Sequence, residues 1–311
     1  MRKEKKILDI IIVGAGPAGL ASAIYSARYG LDIMIISKEA GGLASTAHKI
    51  CNYPGFNEIS GFELMNKFLE QVRNLNVPLV YEEVLKIEKN KDKLFVIETY
   101  ENKYFSRKVI FAGGMTRKKL GVKGEDEFYG KGVSYCATCD AGFFKNKKVA
   151  IIGGSDAALT SAILLSEYAS EVYIIYRKDK FYRAEKAWIQ IVEQNPKIKS
   201  IFNEEVLEII GDENNKKVKK LLLKNSGEFD VDGVFIEIGS EPNLNVIQFL
   251  NVEEEDGFIK TNKQQQTNIP GFYAAGDITN CNLKQIVTAA SQGAISAFSC
   301  FEELKKEGIK K

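Results

Sequence analysis

Cys136-Ala137-Thr138-Cys139-Asp140 sets two thiols one helical turn apart, with a carboxylate directly behind them. A pair at that spacing can close a small-ring disulfide, and an adjacent acid can protonate a departing thiolate. The chemistry in view is thiol–disulfide exchange. Zinc also uses such pairs, but needs two further ligands at usable spacing. His48 is the single histidine and Cys51 lies in a segment with another reading, so no metal is expected. The remaining cysteines, Cys281 and Cys300, make the total odd and follow no framework spacing. That usage points to a reducing compartment with one functional pair, and a cytoplasmic location is expected.

The elements that must position this pair repeat a plan. Asp9 to Leu20 reads as an apolar strand, a glycine turn and the start of a helix over Ala18 to Tyr29, with a second strand at Leu31 to Ser37. Lys148 to Ala158 begins the same way, with a helix to about Tyr168 and a strand at Val172 to Tyr176. Each is a βαβ unit, the setting that gives a glycine fingerprint meaning. Glu82 to Ile87 is echoed by Glu204 to Ile209, both opening β-rich stretches with polar turns, near Asn90 to Lys93 and Gly211 to Lys217. The predicted fold class is α/β, with two Rossmann-like, three-layer (ββα) nucleotide-binding domains, the second inserted into the first. The segment Gly257 to Phe301 has no counterpart in the second copy and is assigned to the first domain. The crossings fall near residues 113–117 and 243–247, giving domains of 1–114 with 246–311, and 115–245.

Composition agrees with this plan. At 311 residues the chain has room for about two domains. Hydrophobic residues at 45% and charged residues at 27% supply apolar cores. A net charge of +2 implies no global field for nucleic acid or a membrane surface, and the basic runs Arg2 to Lys6 and Lys305 to Lys311 read as solvated tails. Ile7 to Val13 has the superficial look of a signal peptide, but it is short and runs into Gly14, so a first strand is the better reading.

Gly14-x-Gly16-x-x-Gly19 follows a strand and opens a helix. Gly14 permits the tight turn, Gly16 admits a pyrophosphate to the backbone, and Gly19 lets helix and strand pack closely, with the phosphate on the helix N-terminus. An acid usually ends the second strand to hold the ribose; here Ser37 or Glu39 takes that place. A second short strand ends in Gly276-Asp277, where an acid can take a cofactor hydroxyl, and an apolar helix begins at Leu283.

With these segments in view, the chain closely resembles the low-molecular-weight thioredoxin reductases among the FAD-dependent pyridine nucleotide-disulfide oxidoreductases. The resemblance rests on Gly14 to Leu20, Gly41-Gly42, Asn52 to Gly55, Ser134 to Asp140, and Thr267 to Asp277 with Lys284-Gln285. It implies an FAD site formed by Gly14, Gly16, Ala18, Gly19, Gly41, Gly42, Asn52, Val84, Ala112, Gly113, Gly276, Asp277, Lys284, Gln285 and Ile286. Leu43 stands where many members carry Gln, and Gly113 replaces a frequent Thr. Catalytic roles are implied for Cys136, which attacks the substrate disulfide, Cys139, which lies nearer the flavin and resolves the mixed disulfide, and Asp140, the proton donor. Thioredoxin or a thioredoxin-like protein is the implied partner, and a homodimer the implied assembly.

The second turn departs further from the family. Gly153-Gly154-Ser155-Asp156-Ala157 replaces Gly-Gly-Gly-x-Ser, so Ser155 stands where backbone and pyrophosphate come closest. The strand end reads Tyr176-Arg177-Lys178, with Arg183 one residue later than the family places its last arginine. Arg177, Lys178 and Arg183 keep a basic cluster able to clasp a 2′-phosphate, and Tyr176 can stack on adenine. NADPH is the favoured donor on that basis; NADH, or another donor such as ferredoxin, stays open. A nucleotide-binding sensor would keep the glycine turns but has no use for the dithiol.

Overall fold

A computed structural model describes residues 6–47, 50–212 and 217–308. His48, residues 1–5 and 309–311 of the basic ends and the middle of the Gly211 to Lys217 turn lie outside the described residues. β1 (Ile7–Ala15) leads through the first glycine turn into α1 (Pro17–Arg28) and β2 (Ile33–Ala40). After α2 (Gly61–Asn74) come β3 (Leu79–Val80) and a meander of β4 (Val84–Lys89), β5 (Phe95–Thr99) and β6 (Lys103–Phe111). The sheet runs β3-β2-β1-β6-β5-β4, parallel from β3 to β6 and antiparallel beyond. β2 continues to Ala40, past the expected Ser37, because Ala40 pairs with Ala15 across a register shift in β1.

β7 (Met115–Arg117) carries the chain out of this sheet. β8 (Val133–Ser134) and the one-turn α3 (Ala137–Asp140) hold the dithiol segment. The second copy then runs β9 (Lys148–Ile152), α4 (Asp156–Tyr168), β10 (Glu171–Tyr176), α5 (Lys186–Gln194) and β11 (Ile198–Phe202). An antiparallel trio, β12 (Val206–Gly211), β13 (Val218–Leu223) and β14 (Gly227–Asp230), precedes β15 (Gly233–Ile236). The second sheet is all parallel, in the order β11-β10-β9-β15-β8. β16 (Ser240–Pro242) pairs with β7, and β17 (Glu254–Glu255) with β18 (Phe258–Ile259). β19 (Phe272–Ala274) joins the first sheet beside β6, and α6 (Ile286–Lys306) lies along α1.

Internal packing divides the chain into two compact units, residues 1–116 with 242–311, and residues 117–241. The return crossing thus comes earlier than the expected 243–247, at the strand that pairs with the outgoing β7. Both units use one layering rule. Side chains alternate along a strand, so Ile10 and Ile12 pack on the helix side with Ala18 and Leu20, while Ile11 and Val13 pack with Phe95 and Ile97. In the second unit Val149 and Ile151 meet Ala158 and Leu159 of α4, and Ala150 and Ile152 meet Ile209 and Leu221. A strand covered on both faces reads as a continuous apolar run, which is how β1 and β9 stand out in sequence. No helix among the described residues is long and apolar enough to cross a membrane.

One ion-pair cluster ties α6 to the sheet. Lys108 on β6, its side chain 6% exposed, reaches Glu303 at 2.5 Å and Glu307 at 2.6 Å, and Tyr273 donates to Glu303. Burial would raise the Glu303 pKa, but its bonds from Lys108 and Tyr273 hold it below the ordinary 4.5. A carboxyl with a depressed folded-state pKa contributes stability above its unfolded value and loses it as pH falls through the folded one. Lys108→Met is therefore expected to lower the unfolding free energy by about 3 kcal/mol, the low end for a buried pair because both carboxylates keep contact with water. In denaturant titrations the difference between wild type and Glu303→Gln should be full above pH 4.5 and shrink below it.

Candidate functional site

The first glycine turn is a place where backbone touches backbone. Gly14 has φ +105°, and a Cβ there would lie 2.2 Å from the Ala112 carbonyl oxygen; the Ala112 amide in turn donates to Val13 at 2.8 Å. A Cβ on Gly19 would lie 1.8 Å from the Gly14 oxygen. Gly16 differs, for a Cβ there would meet nothing within 4 Å. It caps α1 without a side-chain partner, and the first turn of α1 carries no acid, so the helix N-terminus presents free amides and a positive dipole end.

Other predicted residues gather around this turn. The Gly41 amide donates to the Ala15 carbonyl at 2.8 Å, and a Cβ on Gly42 would sit 3.4 Å from the Gly16 Cα. A Cβ on Gly276 would lie 3.0 Å from the Ala18 Cβ, which brings the end of β19 to the first turn of α1. Asp277 follows, partly buried; its carboxylate accepts no hydrogen bond from any described residue. Burial pushes its pKa up, and Lys284 partly offsets that. Asn52 donates to the Gln285 side chain at 3.0 Å just before α6, whose first residue is Ile286. An open space over Gly16, an uncapped helix end and an unpartnered carboxylate together fit a dinucleotide with a pyrophosphate and a hydroxyl-bearing linker.

Four predicted residues also make contacts within the protein. The Ser37 hydroxyl accepts from the Ala15 amide at 3.1 Å and donates to the Glu39 carbonyl at 2.6 Å, bracing the turn; the Glu39 side chain is exposed and stays the ribose candidate. The Lys284 ammonium donates to the carbonyls of Asp277 and Thr279 at 2.8 and 2.9 Å, below the ring of Phe258, so it shapes the loop after Gly276. Helix α6 starts at Ile286, later than the expected Leu283, since the Thr288 hydroxyl caps the Gln285 amide at 3.1 Å. Val84 begins β4, packed against the sheet core, and Gly113 lies exposed over the Phe111 ring.

In the second unit, Cys136 and Cys139 form a disulfide with Cα atoms 5.3 Å apart. Cys139 is exposed and Cys136 half-buried. Cys136 caps α3, its sulfur accepting from the Cys139 amide at 3.2 Å, and its own amide donates to the Ser134 hydroxyl at 3.0 Å. The Asp140 carboxylate, partly buried, accepts no hydrogen bond from any described residue and is available to a sulfur or a proton. Sequence reasoning missed Glu125, which is 3% exposed and holds Tyr135 beside the pair; in an acidic run of three carboxylates nothing local marks which one is buried.

The second glycine turn is more filled than the first. A Cβ on Gly153 would lie 2.2 Å from the Glu237 carbonyl oxygen, and one on Gly154 within 2.6 Å of the Tyr176 ring. The Tyr176 ring stacks on Phe181, with centroids 5.9 Å apart and planes at 22°. Ser155 caps α4 with no side-chain bond, its backbone bridging to Arg183, while Asp156 accepts from the Glu185 amide at 2.7 Å. Ala157, Arg177, Lys178 and Arg183 are exposed, and the Lys178 ammonium lies 5.1 Å from the Tyr182 ring centre. Beside this turn Glu237, unforeseen in sequence, pairs with Arg117 at 3.2 Å and Ser161 at 3.1 Å.

Comparison with known proteins agrees with this geometry. Residues 8–293 match the family described as pyridine nucleotide-disulphide oxidoreductase. The chain is 39% identical to thioredoxin reductase of Bacillus subtilis over 302 residues, 95% of this chain and 94% of that one. It superposes on Lactococcus lactis thioredoxin reductase with a TM-score of 0.89 at 34% identity, covering 96% and 99% of the two chains. A ferredoxin-flavin thioredoxin reductase from Clostridium acetobutylicum is 37% identical, with a TM-score of 0.53 and coverage of 96% and 98%.

The glycines separate fold from ligand. Gly19→Ala is expected to destabilise the protein by about 4 kcal/mol or more, since the clash is with backbone. Gly16→Ala should leave the unfolding free energy of flavin-free protein within about 1 kcal/mol while weakening flavin retention at least about tenfold. Thermal unfolding and flavin release by ultrafiltration check the pair.

Proposed function

Because the chain belongs to the pyridine nucleotide-disulphide oxidoreductase family, among its thioredoxin reductases, we propose that it reduces the disulfide of thioredoxin or a thioredoxin-like protein. Electrons pass from a nicotinamide cofactor through FAD and the Cys136–Cys139 pair. The observation that carries this reading is the Cys136–Cys139 disulfide, accessible at Cys139 and followed by a carboxylate with no partner among the described residues.

The FAD-holding residues are Gly14, Gly16, Ala18, Gly19, Gly41, Gly42, Asn52, Ala112, Gly276, Asp277 and Gln285, with the pyrophosphate on the N-terminus of α1 and a hydroxyl on Asp277. When bound, the flavin supplies two electrons to the disulfide. The Cys136 thiolate then attacks one sulfur of the substrate disulfide, forming a mixed disulfide, and Asp140 protonates the expelled thiolate. The Cys139 thiolate attacks the Cys136 sulfur, restores the internal disulfide and releases the second substrate thiol. The Cys136 sulfur already accepts a backbone hydrogen bond at 3.2 Å, an interaction that favours its thiolate as attacking group.

NADPH is the favoured donor, supported by the exposed cations Arg177, Lys178 and Arg183 at the end of β10. A second reading uses NADH or a non-nicotinamide donor such as ferredoxin. Its support is the Tyr176 ring over Gly154, the Arg183–Ser155 bridge at the N-terminus of α4, and the similarity to the ferredoxin-flavin relative. A cytoplasmic location is supported by three free cysteines, Cys51, Cys281 and Cys300. A homodimer is supported by exposed Tyr25 and Phe298 on the α1–α6 pair.

Anaerobic titration of the FAD-loaded protein tests the donor. Rapid flavin bleaching by NADPH is the expected result; bleaching by NADH alone, or by dithionite alone, turns the assignment to the second reading. Cys136→Ser and Cys139→Ser should each keep bound flavin and lose thioredoxin turnover by more than about 10³-fold. Turnover near wild type in either variant would remove the dithiol from the mechanism.

A further inference from the structure

The residues leading into the dithiol are folded around one buried carboxylate. Glu125 is 3% exposed and accepts from the Leu120 amide at 2.7 Å and the Gly121 amide at 2.6 Å. Its third donor is the hydroxyl of Tyr135, the residue immediately before Cys136. An ionised carboxylate only accepts, so these three donors match its chemistry, and once buried it has every reason to keep them.

The loop that carries Glu125 is held down independently. A Cβ on Gly124 would lie 2.0 Å from the Ile209 carbonyl oxygen of β12, so the loop meets that strand backbone to backbone. The Phe128 amide donates to Gly124 and the Val133 amide to Phe128, both at 3.0 Å. On the far side, Ser134 is buried in β8 and its hydroxyl accepts from the Cys136 amide. Tyr135 is thus the middle of a three-residue segment fixed at both neighbours, and its own anchor is Glu125. Burial and the Glu125 contact both push its pKa up, so it stays a neutral donor at physiological pH.

We propose that Glu125 is a positioning residue for the dithiol, acting through Tyr135 to hold Cys136 within reach of Cys139. This rests on the reading of Cys136 and Cys139 as the redox pair and adds the group that sets their readiness to close. In the reduced state the Cys139 thiolate must find the Cys136 sulfur, both to resolve the mixed disulfide and to reform the internal one. A pinned Cys136 raises the effective concentration of one sulfur at the other. Releasing the pin leaves the chemistry unchanged and weakens ring closure.

The test is an equilibrium one on full-length, FAD-loaded protein in dithiothreitol redox buffers, with the Cys136–Cys139 state read by alkylation and mass spectrometry. Tyr135→Phe and Glu125→Gln are each expected to lower the constant for internal disulfide formation about tenfold, a potential about 30 mV less negative. The double variant should match the larger single effect, since both substitutions break one contact. Flavin content should stay at the wild-type level. Variants that melt earlier but keep the wild-type potential within about twofold in that constant would overturn the proposal and leave Glu125 a purely structural residue. Should Glu125→Gln fail to fold, Tyr135→Phe decides alone, because it leaves both backbone bonds to Glu125 in place. The measurement uses neither thioredoxin nor a nicotinamide donor, so absent thioredoxin turnover in wild type would count against the function and not against this assignment.

Discussion

Where β1 hands over to α1, main chain must touch main chain, and much of the first unit depends on that contact. The carbonyl of Gly14 lies where a Cβ of Gly19 would be, and the carbonyl of Ala112 where one of Gly14 would be. No side chain can enter, so strand, helix and the end of β6 are brought to a single point. That point fixes the direction of the α1 N-terminus. It also gathers Gly41, Gly42 and Gly276 around one opening over Gly16, the only glycine of the fingerprint whose Cβ position is free.

The second unit repeats the layers and changes the mouth. Val149 and Ile151 face a helix, and Ala150 and Ile152 face an antiparallel trio, as their counterparts do in β1. Yet Gly154 faces the Tyr176 ring, and the segment after β10 returns to the N-terminus of α4 through Arg183 and Glu185. One architecture is therefore compatible with an open turn and with a filled one. The difference lies in a few side chains at strand ends, not in the sheet.

Features carried by local pattern were legible in the sequence: the apolar β1 and β9, both glycine turns, the inserted second copy and the Cys136–Cys139 pair. Polar partnerships across long separations were not. The Ser37 hydroxyl meets the Ala15 amide 22 residues away, a contact that its place at a strand end does not announce. The Lys284 ammonium donates to the carbonyls of Asp277 and Thr279, contacts that its motif does not announce. Glu125 was invisible, since Glu125, Asp126 and Glu127 have the same charge and only the tertiary fold buries the first. The stacking of Phe181 on Tyr176 belongs with these, because Phe181 reaches the ring through a loop that no periodicity describes.

The cysteines of the internal disulfide are only three positions apart. In the chain-entropy account, closing so short a ring removes about 2 kcal/mol from the unfolded ensemble, against roughly 4.7 for a hundred-residue loop. The bond is thus a poor staple. A protein that opened and closed a long cross-link at each turnover would swing between a firm and a loose state, exposing itself to proteolysis in the reduced half of its cycle. With this ring, electron load shifts conformational resilience by less than half of what a hundred-residue cross-link would, so the chain gives up less durability when reduced.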